Sequence, residues 1–239
     1  MKINTLLTPL SVEELYFTKK NVVVIDILRA STTIITALNN GAKEIIPVSS
    51  IEFAMKISGD SFKGHTLLGG ERNTQKIEGF ALGNSPLEYK NENVNGKSIV
   101  FFTTNGSKAI VKAKYAANLF IMAFLNSNAV ADKLLDIDED IEILCSGNNG
   151  KFSYEDSACA GLLISIIMEK NKDIELDDSS KISKMIFEKH KNRLNKFLSE
   201  TEHGKKLIDA GFEEDITFAA QQNITGIVPH FKAGVIKVN

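Results

Sequence analysis

The stretch Val22-Val23-Val24-Ile25-Asp26-Ile27, followed by Leu28-Arg29-Ala30-Ser31-Thr32-Thr33, decides the fold class of this 239-residue chain. An unbroken β-branched run is typical of a strand that is buried on both faces, as in an α/β sheet. Residues at helical spacing follow and end at Asn39-Asn40-Gly41, a typical helix C-cap sequence. Residues 44–48 predict a second strand, so this segment forms a strand–helix–strand unit.

The same alternation continues along the chain. It predicts strands over 66–68, 98–102, 119–123 and 141–145, and helices over 107–116, 129–135 and 157–170. We therefore expect one domain, residues 1–239, with a three-layer α/β/α architecture around a mixed, largely parallel sheet. Residues 173–222 show no clear strand pattern and predict a C-terminal helical elaboration. The strands expected after residue 226 are assigned to a sheet edge, because Pro229 cannot donate to a ladder.

Composition and charge exclude several classes of protein. Lys+Arg number 28 and Asp+Glu number 30, for a net charge of −2 without a basic cluster, so no nucleic-acid partner is expected. No apolar run reaches the roughly 18 residues of a membrane span, and the N-terminus lacks a signal-peptide pattern. The two cysteines show neither metal-site nor disulfide-framework spacing. These features predict a cytoplasmic protein without a membrane partner, and they are compatible with a homo-oligomer.

Polar clusters follow four of the predicted strands. Ligands of open α/β sheets bind beyond the carboxyl ends of the strands, so these clusters are expected to meet at one rim. The clusters are Asp26 with Arg29 to Thr33, Gly69-Gly70-Glu71-Arg72, Thr103-Thr104-Asn105-Gly106, and Ser146-Gly147-Asn148-Asn149-Gly150 followed by Glu155-Asp156.

Asp26 and the hydroxyl residues after it are the first candidates for a site. A carboxylate inside an apolar run is costly unless it is paired, hydrogen-bonded or metal-bound, so Asp26 is either a metal ligand, a nucleophile or a helix cap. Ser31, Thr32 and Thr33 open a helix, which suits either an anion site or plain N-capping. Arg29 would add a bidentate fork for an oxyanion.

The other clusters extend the same chemistry. The turn Thr103-Thr104-Asn105-Gly106 can direct N–H groups inward, although Asn-Gly is also an ordinary turn. With Asp26, the carboxylates of Glu71, Glu155 and Asp156 would form an oxygen-rich set that suits Mg²⁺. A surface location for Glu71 and a helix-dipole role for Glu155 and Asp156 are the alternatives.

Five motifs in this order resemble those of the 2-phosphosulfolactate phosphatases. They are Asp26-Ile-Leu-Arg-Ala-Ser-Thr-Thr33, Gly70-Glu-Arg72, Gly79-Phe-Ala-Leu-Gly-Asn-Ser-Pro86, Thr103-Thr-Asn-Gly106 and Phe152-Ser-Tyr-Glu-Asp156. The likeness runs from about Val22 to Val228-Pro229. One departure is His203-Gly204-Lys205, where the family tends to carry Ser-Gly-Arg, which makes Lys205 a candidate anion-binding residue.

The resemblance implies a three-layer α/β/α phosphatase that hydrolyses 2-phosphosulfolactate to sulfolactate and phosphate, with Mg²⁺, in coenzyme M biosynthesis. We expect Asp26 and Arg29 to be catalytic, and Asp26, Glu71, Glu155 and Asp156 to supply the metal ligands. The expected substrate-binding residues are Ser31, Thr32, Thr33, Arg72, Asn84, Ser85, Thr103, Thr104, Asn105, Gly106 and Lys205. The alternatives are a phosphatase for another small 2-hydroxy-acid phosphate and a non-catalytic protein that binds anionic metabolites.

Overall fold

The strands and helices of the chain alternate along most of its length in the computed structural model, which describes residues 1–60 and 66–238. The strands are β1 (Lys2–Leu6), β2 (Asn21–Ile25), β3 (Glu44–Val48), β4 (Thr66–Arg72), β5 (Gln75–Lys76), β6 (Ser98–Phe102), β7 (Asn118–Met122), β8 (Ile141–Cys145), β9 (Glu175–Leu176), β10 (His230–Lys232) and β11 (Val235–Lys237). The helices are α1 (Ala30–Asn39), α2 (Ile51–Asp60), α3 (Asn91–Val94), α4 (Gly106–Lys112), α5 (Ser127–Ile137), α6 (Tyr154–Lys170), α7 (Asp178–His190), α8 (Leu194–Glu200), α9 (Glu202–Asp209) and α10 (Glu213–Ala219).

The strands form one mixed sheet in the order β5-β4-β6-β3-β11-β10-β7-β2-β8-β1-β9. The strands β4, β6 and β3 form one parallel block, and β7, β2, β8, β1 and β9 form a second. Every residue of β2 is buried, as its β-branched sequence predicts. The expected three-layer α/β/α architecture with a largely parallel sheet is confirmed. No helix within residues 1–60 and 66–238 has the length and apolar character needed to cross a bilayer.

The C-terminal hairpin lies in the middle of the sheet, so the predicted edge position was wrong. The strands β10 and β11 pair with each other, with β7 and with β3, always antiparallel. Pro229 lies just before β10, where its missing N–H is not needed, and its carbonyl accepts a hydrogen bond of 3.0 Å from the N–H of Ile121. The segment 173–222 also contains a strand, the two-residue β9 beside β1, although it is otherwise helical as expected.

The two parallel blocks enclose the helices α1 and α4 in one hydrophobic core. Val24 of β2 belongs to the same buried cluster as Ile99 of β6, together with Ile34 of α1 and Ile110 of α4. Because the hairpin is antiparallel to both neighbours, the ladder direction reverses between the blocks, and a flat sheet would point their carboxyl ends apart. The loops after β2, β4, β6 and β8 nevertheless line one cavity, so the sheet cannot be flat.

Candidate active site

A polar cavity of about 420 Å³ lies where these loops meet, and helix α9 forms part of its wall. Its lining residues are Asp26, Leu28, Arg29, Glu71, Asn73, Thr74, Asn84, Thr103, Thr104, Asn105, Asn148, Asn149, His203, Lys206 and Asp209. All four strand-end clusters of the sequence contribute to it. The cavity therefore combines acidic and basic side chains on a rim built by strands that are far apart in the chain.

Asp26 follows β2 directly and is 7% exposed. Its Oδ1 accepts a hydrogen bond of 3.1 Å from the N–H of Ala30, so the carboxylate caps helix α1. A Cβ placed on Gly106 would lie 2.5 Å from its Oδ2, so the turn after β6 packs against the other oxygen. Burial, with smaller contributions from the charges of Glu71 and Glu155, raises the pKa of Asp26 to about 7, although the N–H of Ala30 and the charge of Arg29 lower it.

Glu71 ends the buried part of β4 and is 7% exposed. Its Oε1 accepts a hydrogen bond of 2.7 Å from the N–H of Thr104, and its Oε2 accepts bonds from the N–H of Thr74 and the hydroxyl of Thr104. The carboxylate thus joins the turn after β4 to the turn after β6 and also lines the cavity.

Glu155 and Asp156 lie behind the cavity wall, in the first turn of α6, and do not line the cavity. The two carboxylate oxygens of Asp156 accept hydrogen bonds from the N–H groups of Ile27 (2.9 Å) and Gly147 (3.2 Å). Asp156 therefore holds the ends of β2 and β8 together. Burial first, then the charges of Asp26 and Glu155, raise its pKa. Burial also raises the pKa of Glu155. Metal binding by these two residues stays a prediction.

The hydroxyls of Ser31, Thr32 and Thr33 are directed into the protein. Ser31 Oγ accepts a bond from the N–H of Asp26, Thr32 Oγ1 donates to the carbonyl of Ile27, and Thr33 Oγ1 donates to the carbonyl of Asn84. All three residues are at most 1% exposed and lie outside the cavity lining. In this structure they stabilise the turn that carries Asp26 and Arg29.

The turn after β6 behaves differently, because three of its residues line the cavity. Thr103 exchanges hydrogen bonds with Ser107 across the start of α4. Thr104 binds Glu71, and Asn105 Oδ1 accepts a bond of 3.0 Å from the N–H of Asn149. Gly106 allows the close approach of Asp26, since any side chain there would collide with its carboxylate.

Arg29 is 2% exposed, and its guanidinium is held on several sides. Nη1 donates to Asp215 Oδ2 at 2.6 Å, and Nη2 donates to the carbonyl of Thr74 at 2.9 Å. The guanidinium carbon lies 4.1 Å from the ring centroid of Phe212. A fixed, buried guanidinium on the cavity wall is suited to an oxyanion.

Asn84 and Ser85 have separate roles in the structure. Ser85 donates to Asp215 Oδ1 at 2.6 Å and lies outside the cavity lining. Asn84 lines the cavity, is 5% exposed, and finds no hydrogen-bond partner for its buried Oδ1 among the described residues. A buried amide without a partner on a cavity wall makes Asn84 a candidate contact for a ligand.

Helix α9 presents His203 and Lys206 to the cavity, not Lys205. Residues three apart share one face of a helix, so Lys205 is exposed on another face and lies outside the lining. Burial, together with the positive charge of Arg29, lowers the pKa of His203, and its Nδ1 has no partner among the described residues. Arg72 is likewise exposed and outside the lining, whereas Thr74 of the same turn is in it.

Comparison with known proteins identifies the family. The model of the 2-phosphosulpholactate phosphatase family matches residues 6–234. The chain is 43% identical over 231 residues to a Clostridium novyi protein called "Probable 2-phosphosulfolactate phosphatase", covering 97% of each chain. Proteins of the same name from Clostridium tetani (41% identity, 99% of this chain and 100% of the relative) and Caldanaerobacter subterraneus (43%, 100% and 99%) are similar throughout. The chain belongs to this family.

The sequence patterns of this family member did not predict several of the residues that line the cavity. Asn148 and Asn149 lie in a recognised strand-end cluster, so their position was foreseeable. His203, Lys206 and Asp209 lie on a helix whose place over the rim has no local signal in the sequence. Their spacing of three residues shows only that they share a helix face.

The family resemblance implies Mg²⁺, and the donor set of the cavity fits it. No group of three or more His, Cys, Asp or Glu side chains is close enough to hold a metal in the part of the chain that the structure describes. Asp26 and Glu71 are nevertheless two buried carboxylates that line the same cavity. The negative charge of Glu71 raises the pKa of Asp26, and a bound cation would relieve that repulsion. Mg²⁺ is commonly held by one or two carboxylates, waters and substrate phosphate, which is the arrangement this pair allows.

Proposed function

We propose that this protein is a Mg²⁺-dependent phosphatase that hydrolyses 2-phosphosulfolactate to sulfolactate and phosphate. The observation that carries the proposal is the meeting of the buried Asp26 carboxylate and the buried Arg29 guanidinium in one polar cavity. Membership of the family and the names of the relatives support the substrate. The proposal includes a cytoplasmic location and a role in coenzyme M biosynthesis.

Asp26 and Glu71 would hold the cation against the phosphoryl group of the substrate. When bound there, Mg²⁺ would supply Lewis-acid polarisation of a phosphoryl oxygen. Arg29 binds the other phosphoryl oxygens and stabilises the charge that develops on them. The oxygen of a water molecule adds to phosphorus and the ester P–O bond breaks. A proton from that water ends on the 2-oxygen of sulfolactate, which leaves as the hydroxyl. If Asp26 instead attacks phosphorus itself, an aspartyl-phosphate will be trapped in a single turnover.

In this proposal the carboxylate and the sulfonate of the substrate lie towards α9. Lys206 supplies a positive charge, and His203 and Asn84, whose Nδ1 and Oδ1 have no partner among the described residues, line the same cavity. Because 2-phosphosulfolactate carries a carboxylate and a sulfonate besides the phosphate, a cavity with cationic groups on two sides suits it. The carboxyl of Asp209 lies at the same wall and would repel a poorly placed anion.

Phosphate release from 2-phosphosulfolactate tests this function. We expect turnover with Mg²⁺, loss of turnover with EDTA, and recovery when Mg²⁺ is returned. Phospholactate, phosphoglycolate and a sugar phosphate form the comparison panel, and a higher kcat/KM for one of them would replace the proposed substrate. Full activity in EDTA would contradict the metal. Binding of inorganic phosphate without hydrolysis of any ester would support an anion-binding protein instead.

A further inference from the structure

Helix α10 and the residue before it build a seat for the guanidinium of Arg29. Asp215, in the first turn of α10, accepts from Nη1 at 2.6 Å, and Phe212 lies under the guanidinium plane at 4.1 Å. The carbonyl of Thr74 accepts from Nη2 at 2.9 Å. These contacts fix both the plane and the rotation of the fork, although Arg29 and Asp215 are 186 positions apart in the chain.

Both oxygens of Asp215 are committed to this arrangement. Oδ1 accepts from Ser85 Oγ at 2.6 Å, and Oδ2 accepts from Arg29. Asp215 and Arg29 are each 2% exposed, so the pair is buried, yet only Arg29 reaches the cavity lining. Stability alone does not require such a pair, since apolar residues of similar size often replace a buried ion pair without loss. Its geometry at the cavity is the property that an apolar pair would not reproduce.

We infer that Asp215 is a positioning residue for the phosphatase reaction, which sets the orientation of the Arg29 fork towards the phosphoryl group; this rests on the proposed function. Asp215 acts through Arg29 and does not touch the substrate. Thr74 links the same fork to the rim, because its N–H donates to Glu71 Oε2 at 2.8 Å. A shift of the guanidinium would therefore also disturb the turn that carries Glu71.

A double-mutant cycle measures whether Asp215 acts through Arg29. We expect Asp215→Asn to lower kcat by about 10- to 100-fold with a change in KM below about threefold. In an Arg29→Lys background, Asp215→Asn should lower kcat by less than about threefold, because the oriented guanidinium is already lost. Losses that multiply in the double variant would overturn the inference. If Asp215→Asn does not fold, Ser85→Ala, which removes only the hydroxyl on Oδ1, is carried through the same cycle.

Chemical rescue provides the second readout. Arg29→Ala leaves the carboxylate, carbonyl and ring in place, so millimolar guanidinium should restore part of its activity, at least about fivefold over the unrescued variant. Rescue should fail in the double variant Arg29→Ala/Asp215→Asn. It should persist in the control double variant Arg29→Ala/Glu213→Gln, because Glu213 lies in the same turn as Asp215 but its carboxyl is exposed. Equal rescue in all three proteins would contradict the role of Asp215.

The outcome is separable from that of the proposed function. If the wild-type protein hydrolyses none of the esters, the proposed function fails, and the same cycle is then measured as binding of inorganic phosphate by calorimetry. Non-additive losses in phosphate affinity between Arg29→Lys and Asp215→Asn would still support the positioning role. Additive losses there would overturn it.

Discussion

Asp26 divides its two carboxylate oxygens between the fold and the cavity. Oδ1 caps helix α1 through the N–H of Ala30, while Oδ2 faces Gly106 at the cavity rim. Helix capping and a chemical role, which the sequence left as alternatives, are therefore compatible in one side chain. The raised pKa is the energetic consequence of keeping a carboxylate there, since burial disfavours its charged form.

Asp26→Asn should stabilise the metal-free protein while removing activity. The pKa of Asp26 rises from 3.8 to about 7 on folding, so between these values the folded state binds more protons than the unfolded state. The unfolding free energy of the wild-type protein in EDTA should therefore fall as the pH rises from about 4 to about 7. The Asn variant lacks this loss and should be more stable at pH 8 by about 1–4 kcal/mol.

Urea denaturation in EDTA at pH 4.5 and pH 8 measures this difference. The difference in unfolding free energy between the wild type and the Asn variant should be small at pH 4.5 and larger at pH 8. A variant that is less stable than the wild type at pH 8 would contradict the burial argument. Turnover by the variant at more than a few per cent of the wild-type rate would contradict the proposed role of Asp26.

Gly106→Ala should impair the site through a steric effect on Asp26. The added Cβ would lie 2.4 Å from the Cβ of Ala30 and 2.5 Å from Asp26 Oδ2, so the start of α1, the carboxylate or the turn must move. We expect a loss of about 1–3 kcal/mol in stability and at least a tenfold loss in kcat/KM. Gly226→Ala is the matched control, because a Cβ at that position meets nothing within 4 Å. Equal effects of the two substitutions would show that the contact is unimportant.

At the scale of elements, helix α9 distinguishes two neighbouring lysines. Lys206 lines the cavity and pairs with Glu202 at 2.7 Å, whereas Lys205 is exposed on another face. We expect Lys206→Gln to raise KM for 2-phosphosulfolactate about 5- to 50-fold, and to have less effect on an ester that lacks the carboxylate and sulfonate. Lys205→Gln is the matched variant, and a larger effect there would favour the assignment made from the family motif.

Sequence patterns located the elements that begin the site better than those that complete it. The apolar run of β2 and the polar clusters after β4 and β6 are local signals, and they placed Asp26, Glu71 and Thr103 on one rim. No local pattern in the sequence marks Asp215 as part of the site. Its partner Arg29 is 186 positions away, and acidic residues are common in the first turn of any helix. Hydroxyl residues at a helix start also suit both a ligand and internal capping, and only the structure shows that Thr33 bonds to the carbonyl of Asn84.

At the scale of the whole molecule, the C-terminal hairpin joins the two parallel blocks of the sheet. One strand pairs with β7 and the other with β3, so the chain closes the sheet at its centre with its last residues. The ion pair between Lys237 and Glu44, at 2.9 Å, adds to the same junction. The presence of Pro229 did not predict the central position of the hairpin. The proline lacks only its own N–H and leaves the residues after it free to pair.

Ile236→Ala tests whether the hairpin is central to the stability of the whole fold. Ile236 is fully buried, pairs with Ile45 of β3, and packs in the core cluster that both blocks share. Removing its side chain leaves a cavity at the junction, so we expect a loss of about 2–5 kcal/mol in unfolding free energy with an unchanged m-value. Val238→Ala, at a side chain that is 40% exposed, should cost less than about 1 kcal/mol. A hairpin at a sheet edge would show similar, small effects for both variants, and that result would contradict the central position.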